Sequence, residues 1–339
     1  MTATINGTVT DPAGNVVANA DVTATDLDRG TVWPAKTNHE GYFNLTRLPV
    51  GRYEVRVTAP GFRVALETTP DLQLNQTAVV NVQLVVGSNN ETVQVTSEAP
   101  LLQTESTAVG TVIDEKANVD LPLASRNYLQ LTLLTPGVVS PNPIGANGSF
   151  DSGATTGQNA RPEINGNRFT AVDYIIDGMD NNEMASNFIA YTPQPDAIQE
   201  FNLITQNAPA DFGNYMGGVI SVSTKSGTNK FHGSVFEFFR NNVLNANEWW
   251  RNLDGDPRQP LRWNQFGGAI GGPVVKNKLF FFADYEATRF DYPTSASSFS
   301  VLTAKERTGD FSELLGLPTP VIIRNPITQT PYPGNIITS

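Results

Sequence analysis

Apolar side chains in this chain alternate with polar ones in short runs. Glycine, proline, asparagine or aspartate cuts each run off before it reaches the length of a long helix. Period two is the signature of a half-buried strand, because successive side chains on a strand point to opposite faces. With 28 Gly and 23 Pro in 339 residues, turns are available throughout. No apolar run approaches the ~20 residues that a membrane-spanning helix needs. The expectation is a mainly β chain of two or three domains. The formal net charge is −11 and no window carries a basic stripe, which sets aside a nucleic-acid partner. There is no Cys, hence no disulfide framework or thiolate metal site, and the two histidines, His39 and His232, leave little for an imidazole site. No nucleophile–base pair or metal cluster stands out, so an enzyme is the least favoured class and no cofactor is expected. The low charged fraction of 16% suits a secreted or envelope β protein. The N-terminus runs straight into a strand pattern without a signal peptide, which reads either as a cytoplasmic protein or as a mature or truncated start, and the later segments favour the second.

Residues 1–87 read as short strands joined by turns. Ile5, Gly7 and Val9 alternate with polar neighbours up to the turn Asp11-Pro-Ala-Gly14. Ala20, Val22 and Ala24 alternate again, Asn38-His-Glu-Gly41 turns, and Tyr53, Val55 and Val57 resume the period after Gly51. Val80, Val82 and Leu84 close the series. Such spacing predicts a small antiparallel sandwich. The series Gly7-x-Val9, Asp11-x-x-Gly14, Ala20-x-Val22, Gly41-Tyr42-Phe43, Gly51-x-Tyr53-x-Val55-x-Val57 and Gly61-Phe62 resembles the carboxypeptidase regulatory-like domain. Zinc hydrolysis does not follow from that name. His39-Glu40 sits in a turn with no second His in the domain, so the module is read as structural or interacting.

Residues 88–120 are polar, with a linker at Gly87-Ser-Asn-Asn90, and read as extended and partly mobile. The best helix candidate follows, capped by Ser125, with Leu129, Thr132 and Leu133 on one face and a stop at Pro136-Gly137. Residues 138–162 read as a loop. Three strand-like runs come next: 171–176 ending at Asp177-Gly178, 198–204, and 218–224. Leu121-Pro122 with Thr135-Pro-Gly-Val138, then Ile164-Asn-Gly-Asn-Arg168 with Tyr174-Ile-Ile-Asp-Gly178, then Ala197-Ile-Gln-Glu-Phe201 and Gly217-Gly-Val-Ile-Ser-Val-Ser-Thr-Lys-Ser-Gly227, stand in one order. That ordered series resembles the plug of a TonB-dependent outer-membrane receptor.

From residue 229 the texture turns aromatic. Phe236, Phe238 and Arg240 fall on one side of a run and Val235, Glu237 and Phe239 on the other. A second run at 266–272 turns at Pro273–Lys278 and returns through Leu279-Phe-Phe-Phe. On its own this is either a hydrophobic hairpin of a soluble β domain or the start of an outer-membrane barrel. After the plug series it resembles the first barrel hairpins of the Oar-like receptors. The resemblance implies a mainly β chain with four parts. They are an N-terminal antiparallel β-sandwich (1–87), a linker with a candidate TonB box (88–98), a mixed α+β plug (99–228), and the first strands of an outer-membrane β-barrel (229–339). A plugged barrel of about 22 strands, at ~9–11 residues per strand plus loops, needs more chain than follows residue 228, so the sequence reads as a fragment. The implied location is the outer membrane, with sandwich and plug on the periplasmic side.

Within that frame Glu91, Thr92, Val93, Gln94, Val95 and Thr96 resemble a TonB box, an extended segment that adds a strand to the sheet of an energy-coupling partner. The alternatives are a linker strand or a last strand of the sandwich. Asp177-Gly-Met-Asp-Asn-Asn-Glu183 carries oxygen ligands but not the spacing of a calcium loop, and turn chemistry explains it better. Trp249, Trp250 and Trp263 are read as loop or girdle aromatics rather than ligand contacts, and Asp254-Gly-Asp256 as a turn. The implied partners are a TonB-type protein, outer-membrane lipid and an unidentified extracellular ligand, which makes the function energy-coupled uptake. The competing class is a non-transporting surface or adhesion protein that uses the sandwich for contacts.

Overall fold

The computed structural model describes residues 2–69, 71–87, the backbone of 92–95, and residues 106–123, 126–140, 161–185, 187–213, 215–291 and 301–337. They fall into two compact units, 1–292 and 293–339.

The first unit opens with two facing sheets. One holds β1 (Ala3–Thr10), β4 (Tyr42–Leu48), β7 (Thr77–Val79) and β8 (Val82–Gln83); the other runs in the order β3 (Val32–Lys36), β2 (Asp21–Asp26), β5 (Tyr53–Thr58), β6 (Val64–Thr68), β9 (Thr92–Val95). Most pairs are antiparallel, but β7 and β8 run parallel to β1, and β9 runs parallel to β6. The alternation read from the sequence becomes burial here. Ile5, Val9, Val22, Ala24, Phe43, Tyr53, Val55 and Val57 point inward and form one core. The two turns also form as expected. Asp11 Oδ1 accepts from the N–H groups of Ala13 and Asn15, and Asn38 Oδ1 accepts from those of Glu40 and Tyr42. Tyr53 is buried against Trp33 and still donates its hydroxyl to Pro49 O at 2.7 Å.

A second sheet system follows in the order β10 (Val109–Asp114), β15 (Ile198–Gln206), β16 (Gly218–Thr224), β13 (Val172–Ile176), β14 (Met179–Asp180), with β13 and β16 parallel. A short antiparallel pair, β11 (Val138–Val139) with β12 (Glu163–Ile164), lies beside it. All three strands read at 171–224 are present. Two local expectations are corrected. Of the stretch read as extended and partly mobile, residues 109–120 are ordered: β10 pairs along β15, and α1 (Glu115–Asp120) starts at Asp114, whose carboxylate caps the Ala117 N–H. The helix read after Ser125 is a short 3₁₀ turn, Tyr128–Leu134, capped by Asn127, while Ser125 lies outside the described residues. A left-handed Arg126 (φ 51°) on one side and Pro136-Gly137 on the other leave no room for a longer helix. Its buried Tyr128 packs edge-on against Phe201 at 5.2 Å.

The first unit ends in an antiparallel sheet of β17 (His232–Asn241), β18 (Arg262–Val275) and β19 (Leu279–Asp291). The β17–β18 connection holds α2 (Trp249–Asp254), closed by Gly255 at φ 75°. Trp249 and Trp250 are exposed on α2, whereas Trp263 is buried against Phe290. The second unit carries short turns and isolated bridges, pinned by buried Asn335, which donates to Val321 O at 2.7 Å and accepts from Ile323 N at 2.9 Å.

Candidate partner-binding strand and the interfaces behind it

Of the six residues read as a partner-binding segment, Thr92, Val93, Gln94 and Val95 are β9, and Glu91 and Thr96 lie outside the described residues. Thr92 pairs with Val64, Val93 with Ala65, Gln94 with Leu66 and Val95 with Glu67. The segment is therefore the outer strand of the second sandwich sheet, and among the described residues no strand covers its far edge. Backbone groups on such an edge are what an added strand would use.

Behind β9 the sandwich is fastened to the second sheet system. The Leu74 N–H donates to Glu200 Oε1, and Asn202 Nδ2 donates to Leu74 O at 3.1 Å, so two side chains of β15 hold both backbone polar groups of one sandwich residue. The Arg29 guanidinium donates to Ser226 Oγ, and the Asn229 N–H to Asp28 O at 3.0 Å. Burial pushes the Glu200 carboxyl up to about 7; the Leu74 N–H opposes that rise, and Asp114 and Asp71 add to it. An open cavity of about 670 Å³ lies here, bordered by Asp71, Asp114, Glu115, Glu200, Lys225 and His232 among others. Lys225 Nζ reaches Glu115 Oε1 at 2.8 Å.

A third contact joins the plug-like sheets to β17–β19. Arg126 is buried, donates to Asp196 Oδ2, lies 3.6 Å from Glu286 Oε2, and stacks over Phe236 and Phe238 at 4.1 and 4.3 Å. Ser234 Oγ donates to the other Asp196 oxygen at 2.7 Å. Gln265 donates to Glu286 and Gln194 to Asp284, both at 2.7 Å. One face of the β17–β19 sheet thus carries a polar network against the plug-like part, while Val235, Phe239, Phe266, Ile270 and Tyr285 on the other face are exposed. Sequence reading missed this network, because Arg126, Asp196 and Glu286 are far apart along the chain and each looks like an ordinary surface charge.

The oxygen-rich loop after β13 spends its side chains on backbone. Asp177 accepts from the Thr224 N–H and hydroxyl, and Asn182 bonds Tyr174 N and Val172 O. Among the described residues no group of three His, Cys, Asp or Glu is placed to hold a metal ion.

Residues 4–85 match the family model of the carboxypeptidase regulatory-like domain, and residues 223–339 that of an outer membrane beta barrel domain. The chain is 30% identical over 317 residues to the TonB-dependent transporter Oar of Myxococcus xanthus, covering 89% of this chain and 28% of that protein. The chain thus spans little more than a quarter of that relative's length. Among solved structures, the outer membrane transporter YddB of Escherichia coli aligns with 54% of this chain and 26% of its own (15% identity, TM-score 0.40). The siderophore receptor PirA of Acinetobacter baumannii aligns with 58% and 26% (20% identity, TM-score 0.37). The sequence relationship and the two family matches together support a TonB-dependent receptor of the outer membrane, similar to Oar and carrying an N-terminal carboxypeptidase regulatory-like domain.

Proposed function

We propose that the chain is the periplasm-facing front of a receptor for energy-coupled uptake. Its parts are an accessory sandwich (1–87), a linker with the coupling segment (88–98), a plug (99–228) and the opening of a barrel (229–339). The observation that carries this reading is the relationship to a TonB-dependent transporter across 89% of the chain. The two-faced β17–β19 sheet supports it, since a barrel wall sets a largely apolar outer face, here Val235, Phe239, Phe266, Ile270 and Tyr285 with Glu237 among them, against a polar inner face. On this reading residues 91–96 engage a TonB-type protein through main-chain hydrogen bonds, lipid covers the outer face of the sheet, and the ligand binds from outside.

The test is uptake and surface binding by the receptor in its outer membrane. Val93→Pro or Val95→Pro removes a backbone donor and stiffens φ, so uptake is lost while binding persists. Thr92→Ala and Gln94→Ala change uptake little, because side chains are not the recognised feature. Normal uptake in both proline variants would sink the coupling assignment.

A further inference from the structure

The far edge of the sandwich is finished by a segment that the chain lends back to it. The second sheet runs β3-β2-β5-β6, and β9 then adds in parallel to β6, with partners Val64 with Thr92 through Glu67 with Val95. Residues 92–95 are thereby held extended. One edge of β9 is spent on β6, and among the described residues the other edge carries no strand. The sandwich is also anchored through its connections, because β15 holds the N–H and the C=O of Leu74 between β6 and β7, and Arg29 between β2 and β3 bonds Ser226.

We propose that the sandwich is a presenting platform for the coupling strand. A β-strand of the energy-coupling protein adds to the outer edge of β9 without displacing it from β6, so that one continuous sheet runs from β3 into the partner. This rests on the reading of residues 91–96 as the coupling segment. The physical argument is preorganisation. A loose linker must lose backbone freedom when it pairs, whereas a strand already extended on β6 has lost that freedom beforehand. An edge held at fixed register also offers the partner one alignment instead of several. The hydrogen bonds that join Glu200 and Asn202 to Leu74, in the connection that follows β6, give a pull on β9 a route through β6 to β15.

Hydrogen exchange on the outer-membrane receptor, with and without the periplasmic domain of its energy-coupling protein, tests this. The amides of β9 slow on addition of the partner, and those of β6 stay as slow as before. If the β6 amides speed up while β9 is protected, the strand is being stripped from the sandwich; that overturns the platform and leaves the coupling assignment standing. If β9 does not respond, the coupling assignment fails and the platform with it. A lock gives a second reading. These 339 residues contain no cysteine, and Leu66 and Gln94 are paired across β6 and β9, so Leu66→Cys with Gln94→Cys can staple the two strands. The oxidised form binds the coupling domain within about threefold of the reduced form, or more tightly. A loss beyond about tenfold on oxidation, reversed by reductant, overturns the proposal.

Discussion

Two buried carboxylates of the plug-like part show how differently one fold treats similar side chains. Asp196 is held by Arg126 and Ser234, so its charge is answered on both oxygens. Removing the cation while keeping the anion is the costly change, because a buried charge is then left uncompensated. Arg126→Met is expected to destabilise the receptor by about 3–5 kcal/mol, and the double variant Arg126→Met with Asp196→Asn to recover a good part of that. Urea unfolding of the detergent-solubilised receptor measures both, and additive losses would show that the two residues are not coupled. Glu200 is the opposite case. Burial raises its carboxyl from 4.5 to about 7, since burial penalises the ionised form. Its contribution to stability is therefore full below pH 4.5 and is lost as pH rises through about 7. Glu67 and Asp173, pushed by burial to about 7 and about 6, slope the same way. Glu200→Gln should flatten a part of the fall, read as melting temperature across that pH range. An unchanged slope would mean that Glu200 ionises as freely folded as unfolded.

At the scale of elements, strands with period-two apolar runs were legible in the sequence, and strands made by pairing alone were not. Ile5 and Val9 of β1, Val55 and Val57 of β5, and Phe201 and Leu203 of β15 announce their inward faces by alternation. In β10, by contrast, Val109 is exposed, Gly110 and Thr111 add no apolar face and Ile113 is the one residue buried in the core, so most of its order comes from the partner strand β15. α1 is equally quiet, six residues whose N-terminus is fixed by Asp114. Residues 92–95 take the seat that the sequence left open as an alternative, a last strand of the sandwich, but the partner strand β6 and the register were not legible, because a parallel pairing across residues 69–91 leaves no local mark. One glycine does carry a legible constraint. Gly7 in the Gly-x-Val motif lies where a Cβ would sit 1.8 Å from Val80 O, since Val80 bonds Asn6 there at the seam between β7 and β8. Gly7→Ala should cost at least about 3 kcal/mol, as a backbone shift beside a packed core does. Among the described residues, the sandwich core draws on positions 3–84. Residues 1–87 should thus fold by themselves, and their NMR spectrum should be well dispersed for the wild type and collapsed or greatly destabilised for Gly7→Ala. A poorly dispersed wild-type spectrum would sink the idea that the sandwich is autonomous.

At the scale of the molecule, the three sheet systems differ in where their apolar faces go. The sandwich closes on itself, and the plug-like sheet packs on its own strands and on the 3₁₀ turn at Tyr128–Leu134. The β17–β19 sheet does neither. On its inner face Ser234 donates to Asp196 of the plug-like part and Glu286 lies in an ion pair with Arg126, and its outer face leaves Val235, Phe239, Phe266, Ile270 and Tyr285 exposed. Three strands cannot enclose a plug, and among the described residues β17 and β19 each keep one edge unpaired. In water such a sheet has two reasons to associate, an apolar face and open edges. In a lipid or detergent phase the face is covered, but the unpaired edges remain costly. The expectation for residues 229–291 expressed alone is a species that aggregates in buffer. In detergent micelles it gains β signal without giving one sharp set of resonances. Restoring residues 106–228 on the same chain should raise the protection of β17, because Asp196 and Arg126 then meet Ser234, Phe236 and Phe238. Hydrogen exchange at β17 in the two fragments makes the comparison. A soluble, monomeric and fully protected β17–β19 sheet in plain buffer would contradict the assignment of its outer face to lipid.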